Sequence, residues 1–66
     1  MKSVNNVREI RKGRMLSKTE LARLAGISAV TIDRIERGEP CRMETMRKIL
    51  LALGFTLADK EKVFPN

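Results

Sequence analysis

At 66 residues the chain is long enough for one domain at most, and hydrophobic residues at 42% supply a modest core. With no His and a single Cys it cannot build a zinc finger, and with no Trp, no Tyr and only two Phe it has no aromatic platform for stacking unpaired bases. Its formal net charge of +6 draws polyanions, chiefly nucleic acid or an anionic membrane surface.

The punctuation by Gly13, Gly26, Gly38, Pro40, Gly54 and Pro65 leaves segments of helical length between breakers. The first runs from about Asn5 to Lys12 or Gly13, with Asn5 or Asn6 as N-cap and with Val4, Val7, Ile10 and Arg11 on one stripe. Lys2, Arg8, Arg11, Lys12, Arg14 and Lys18 face only Glu9 over this end of the chain, so the positive charge is concentrated there. The second helix opens on Ser17-Lys18-Thr19-Glu20. Ser three residues before Glu is the capping-box pattern, in which each side chain satisfies a backbone N–H at the helix start. Leu21, Ala22 and Ala25 form its inner face, and Gly26 ends it in the left-handed conformation.

Ser28 caps a third helix, Ala29 to Arg37, which Gly38 stops. Ile32 and Ile35 lie three apart on its inner side, and Ile27 plugs the corner with the second helix. A fourth helix spans about Met43 to Leu53, with Met43, Met46, Ile49, Leu50 and Leu53 inward and Gly54 closing it. Thr56-Leu57-Ala58-Asp59 is a weaker capping box for a last short helix that frays before Pro65. The reading is all-α: a compact five-helix bundle, a single domain over residues 1–66 with its core at about 5–63.

Two short helices joined by a tight Gly-containing turn form a helix-turn-helix, whose second helix fits the major groove of B-DNA. With Ile32 and Ile35 inward, Ala29, Val30, Asp33, Arg34 and Arg37 point outward. Arg34 offers a paired donor fork to guanine, worth about 1–3 kcal/mol of discrimination, and Val30 or Ala29 can touch a thymine methyl. The start of the preceding helix suits a phosphate, with Lys18 adding a charge and Thr19 a hydroxyl. Arg37 and Arg42 flank the Gly38 turn and can clamp the neighbouring backbone, a role that positions the domain without reading sequence.

The run Leu16-Ser17-Lys18-Thr19-Glu20-Leu21-Ala22-Arg23-Leu24-Ala25-Gly26-Ile27-Ser28, followed by Thr31-Ile32-Asp33-Arg34-Ile35-Glu36-Arg37-Gly38, resembles the Xre family of Cro- and cI-type phage repressors. Glu44-Thr45-Met46 through Ile49, Ala52-Leu53-Gly54 and Phe55-Thr56-Leu57 extend the likeness, which covers roughly Val7 to Asp59. The resemblance implies a lambda-repressor-like domain on operator DNA, commonly a dimer on two half-sites. It carries the groove-facing set onto Lys18, Ser28, Ala29, Val30, Thr31 and Arg34, and makes Arg11 and Glu36 a structural pair between the first and third helices. The sequence departs from the family at three places. Lys18 stands where Gln is frequent, Ala29 and Val30 stand where polar residues are frequent, and Arg42 stands where a Ser usually caps the fourth helix. Direct readout therefore rests on Arg34.

The remaining residues read more plainly. Met15, Met43 and Met46 are core filler, and Cys41 is a free loop thiol that fits a reducing compartment. Leu24 and Leu51 tilt off the inner faces, and Leu51 with Val63 and Phe64 forms the expected dimer seam. No apolar run suits a signal peptide, and the longest, Ile49 to Leu53, is too short to span a bilayer, so a cytoplasmic location without membrane partners is expected. Paired acids at working spacing, an activated Ser or Cys and a glycine-rich phosphate loop are missing, which excludes an enzyme, and no cofactor or metal is expected. The expected function is a sequence-specific double-stranded-DNA-binding transcriptional regulator, a repressor. The alternative is a protein-interaction module on the same scaffold, such as an antitoxin or co-regulator.

Overall fold

A computed structural model describes residues 5–65. Among them are α1 (Val7–Gly13), α2 (Lys18–Ala25), α3 (Ala29–Glu36), α4 (Met43–Ala52) and a 3-10 turn (Leu57–Asp59) that runs into α5 (Lys60–Val63), with no strand. Helices of this length are marginal in isolation, so each is held by the apolar stripe it buries. Val7, Leu21, Ile32, Ile35, Ile49, Leu50 and Leu53 meet in one core, each buried side chain contributing about 1.5–3 kcal/mol.

The α2–α3 corner is built as its residues dictate. Glu20 N–H donates to Ser17 Oγ at 3.0 Å and Ser17 N–H donates to Glu20 Oε1 at 2.8 Å, closing the capping box. Gly26 takes φ +72° just after α2, a conformation that costs other residues, and Ile27 packs against the core beside it. Ser28 Oγ then accepts the Thr31 N–H at 3.1 Å and starts α3.

Four expectations about burial and helix starts change. Asn6 takes the N-cap position of the first helix but makes no side-chain cap bond, and Asn5 is drawn inside: its Oδ1 accepts the Val7 N–H at 3.1 Å while its Nδ2 donates to the Ile35 carbonyl at 2.7 Å. Met15 is 89% exposed with φ +58° in the turn after α1, and Leu16 packs against the core beside it, so Met15 fills no core. Met43, at the first position of α4, is 71% exposed, and of the methionines expected in the core only Met46 packs inward. Val63 and Phe64 are buried in the chain's own core and cannot form a dimer seam. The reason is the path of the C-terminal segment. The Thr56–Asp59 capping box turns it back, and Asn6 ties it to the start of α1 through its N–H to the Val63 carbonyl at 2.8 Å and its Nδ2 to the Lys62 carbonyl at 3.0 Å. Val4 and Lys2, which carried part of the first-helix reading, lie outside the described residues.

Candidate nucleic-acid interface

The back of α3 is fixed by more than its two isoleucines. Arg11 of α1 donates from Nε to Glu36 Oε2 at 2.7 Å and from Nη2 to Glu36 Oε1 at 3.2 Å, and its Nη1 reaches the Leu16 carbonyl at 2.8 Å. Both side chains of this fork are nearly excluded from solvent, at 8% and 4% exposed. A bidentate pair whose third guanidinium nitrogen is also bonded holds the end of α3 against α1 and leaves neither group for a ligand.

The front of α3 is open. Val30 is 59% exposed, whereas Ala29 is half-buried against the core edge, so of the two apolar candidates Val30 presents the larger free surface. Ser28 Oγ and Thr31 Oγ1 share a hydrogen bond at 2.9 Å, and each hydroxyl retains capacity for a further partner. The Arg34 guanidinium is exposed and has no hydrogen-bond or ionic partner among the described residues. It borders an open cleft with Thr31, Thr45 and Arg42, between α3 and the beginning of α4. Arg42 occupies the N-cap of α4 without a side-chain cap bond, so its charge and the first N–H groups of α4 lie at the same edge.

Other cations expected at a phosphate are engaged within the fold. Lys18 Nζ donates to Asp33 Oδ1 at 2.6 Å, and Arg37 Nε meets Asp33 Oδ2 at 3.0 Å, so one carboxylate on α3 holds a cation from the start of α2 and another from its own next turn. The hydrogen bond from Lys18 holds the Asp33 carboxyl below the ordinary carboxylate range, with Arg37 adding to it. Thr19 is exposed beside Lys18 and hydrogen-bonds through no side-chain atom among the described residues.

Sequence reasoning missed three of these roles. Asp33 was seen as outward but not as a partner to two cations. Asn5 was seen as a cap but not as a buried link to α3. Arg14 was counted in the basic excess, yet its Nε donates to the Leu53 carbonyl at 2.8 Å and its guanidinium lies over the Phe55 ring, 4.9 Å from the centroid. The only signal in the sequence for Arg14 was an orphaned carbonyl at the end of a helix that lacks a basic residue in its last turn. Cys41 is partly buried and desolvation pushes its thiol up, which suits an unreactive packing residue.

Two packed short helices, a fixed back and an exposed Arg on the front define a helix-turn-helix DNA-binding domain. The Helix-turn-helix family model matches residues 7–60, and the chain belongs to that family, in its Xre form with the Cro- and cI-type domains. It is a family of DNA-binding regulators and not of enzymes. No curated protein and no solved structure matches the chain. No helix among the described residues is long and apolar enough to cross a membrane.

Proposed function

We propose that this chain is a sequence-specific regulator of transcription, acting as a repressor in the cytoplasm and inserting α3 into the major groove of double-stranded DNA. The observation that carries this reading is the Arg34 guanidinium, exposed and without a partner among the described residues, on a helix whose opposite side is locked by Ile32, Ile35 and the Arg11–Glu36 fork. Arg34 and Val30 are the main base readers in this reading, with Ser28, Ala29 and Thr31 beside them. Lys18, Thr19, Arg37 and Arg42 take phosphates. Residues 1–66 act as a single domain, and occupancy of an operator by this compact body excludes other proteins from the same stretch. Selection of bound duplexes from a random pool tests it: the expected result is a motif containing guanine at a fixed position, and a pool with no enrichment would remove the reading.

The same proposal includes a homodimer on two half-sites. With Val63 and Phe64 in the core, Leu51 remains from the expected seam, 59% exposed and bordering a shallow depression with Leu24, Ala25, Lys48 and Ala52. Footprinting should find paired half-sites about 34 Å apart, one turn of DNA; a lone half-site would remove the dimer. A second reading, a protein-interaction module such as an antitoxin or co-regulator, draws support from exposed Met43 and Leu57, which border an apolar groove between α4 and the 3-10 turn. Substitution of Arg34 separates the two, because it alters DNA preference in the first and leaves partner capture intact in the second.

A further inference from the structure

The basic side chains around α3 fall into two electrostatic classes. Arg34 and Arg42 have no ionic partner among the described residues, whereas Lys18 and Arg37 are both held by the Asp33 carboxylate. Asp33 is the only acid in α3 besides Glu36, and Glu36 is committed to Arg11 on the opposite side. All three members of the trio keep solvent contact, with side chains 42%, 31% and 72% exposed for Lys18, Asp33 and Arg37. They therefore sit where a polyanion can compete for them.

We infer that Asp33 is an affinity-setting residue of the DNA interface, a carboxylate clasp that weakens phosphate contacts by Lys18 and Arg37 while leaving the base-reading Arg34 free. The inference rests on the DNA-binding reading above. Nearly all sequence-independent affinity for DNA comes from cations that replace condensed counterions at phosphates. A lysine or arginine that already faces a carboxylate has less to gain at a phosphate, and the phosphate must either displace that carboxylate or accept its repulsion. The clasp acts on every duplex alike, because phosphates carry no sequence. Its consequence is shorter residence on unrelated DNA, since a weaker electrostatic hold raises the dissociation rate. Arg34, one residue along and unclasped, keeps its full donor fork for a guanine.

The trio spans α2 and α3, so a purely structural role would be to hold the two helices together. Binding measurements separate the two. The 66-residue chain with Asp33→Asn, its fold checked by circular dichroism and melting, is titrated by fluorescence anisotropy onto a preferred duplex and an unrelated one at rising NaCl. With the clasp removed, affinity for both duplexes should rise by a similar factor, on the order of tenfold for each newly available phosphate contact near 0.1 M salt, and the slope of log affinity against log salt should steepen by about 1–2. Lys18→Met should then cost more affinity in the Asp33→Asn background than in the wild-type chain. Unchanged or weaker binding by Asp33→Asn with a native fold would overturn the clasp and leave Asp33 a structural brace. A gain confined to the preferred duplex would overturn it by making Asp33 a base reader. So would a gain that survives removal of both Lys18 and Arg37. If the wild-type chain binds no duplex at any salt, the DNA reading itself fails, a result distinct from each of these.

Discussion

Two charge clusters flank α3, one behind it and one in front, and they are made of the same kinds of side chain. Behind, Arg11 and Glu36 form a fork at 2.7 Å with both side chains under a tenth exposed. In front, Lys18, Asp33 and Arg37 meet at 2.6 and 3.0 Å but remain partly in water. Distance does not separate them, whereas solvent does. A buried pair has no alternative partner, so it is a fixed part of the fold. A solvated trio can exchange its partners for ions from solution, so its geometry sets competition rather than stability.

The largest effect expected from this contrast is on folding. Glu36→Ala leaves the Arg11 guanidinium buried without its carboxylate, a loss of about 3–5 kcal/mol. A domain of 66 residues at about 0.05–0.15 kcal/mol per residue has about 3–10 kcal/mol in total. Glu36→Ala should therefore bring the chain close to unfolding at 25 °C, as read by urea titration of the circular dichroism signal. Replacing both partners by apolar residues, Arg11→Met with Glu36→Leu, should recover much of the loss, because no lone charge remains inside. Asp33→Asn should leave the urea midpoint close to that of the wild-type chain, because a solvated ion pair contributes little to folding. Equal losses at Glu36 and Asp33 would abolish the distinction between the clusters.

The next effect is on recognition. Arg34→Ala removes an exposed side chain with no partner among the described residues, so stability should stay within about 0.5 kcal/mol. Discrimination at one base pair of the preferred site should fall by about 1–3 kcal/mol. Competition binding against duplexes altered one base pair at a time measures it. Loss spread evenly over all duplexes, with no position relaxed, would place Arg34 among the phosphate contacts instead.

Helix positions, caps and the inner faces were legible because each rests on a local rule: Ser17 with Glu20, Ser28 before Ala29, Gly26 after Ala25, and apolar residues at helical spacing. What was not legible depends on where the chain returns in space. Val63 and Phe64 look like a spare apolar tail in sequence, and only the turn at Thr56–Asp59 and the Asn6 bonds bring them into the common core. Met15 and Met43 have the composition of core residues, but each sits at a helix boundary where a one-position change of phase points a side chain outward. Charge was the least legible. A count of cations near the N-terminus cannot tell that Arg11 is forked to Glu36, Arg14 is bonded to a helix-end carbonyl and Lys18 is held by Asp33, because each of those partners is 15 or more residues away. The outward direction of Arg34 follows from the position of Ile32 and Ile35, and its exposure agrees with that phase.

Arg14 extends the comparison to a cation that is exposed and yet structural. Arg14→Met removes the bond to the Leu53 carbonyl and the guanidinium over Phe55, which should cost about 1–2 kcal/mol in urea unfolding. The salt dependence of DNA binding should not change, because in this geometry Arg14 serves the end of α4. A shallower salt slope in Arg14→Met would move it to the phosphate-contacting set.

The smallest effect is on acid stability, and it sharpens what the exposed carboxylates do. Glu20, Asp33 and Asp59 are all held below their ordinary ionisation range: Glu20 by the hydrogen bond at the Ser17 backbone, Asp33 by Lys18, and Asp59 by the Thr56 backbone N–H and then Lys62. A carboxylate depressed in the folded chain is more acidic there than in the unfolded chain, so its contribution is complete above the unfolded value. That contribution is lost as pH falls through the folded one. The urea midpoint should stay flat from neutrality down to about pH 5 and decline below about pH 4.5. Asp59→Asn keeps an acceptor for the Thr56 N–H but cannot titrate, so its decline should be shallower than that of the wild-type chain, with a slightly lower plateau at pH 7. A decline of the same steepness in both would mean that the Thr56–Asp59 box is too solvated to couple ionisation to folding. The return of Val63 and Phe64 into the core would then rest on their own burial and on the two Asn6 bonds.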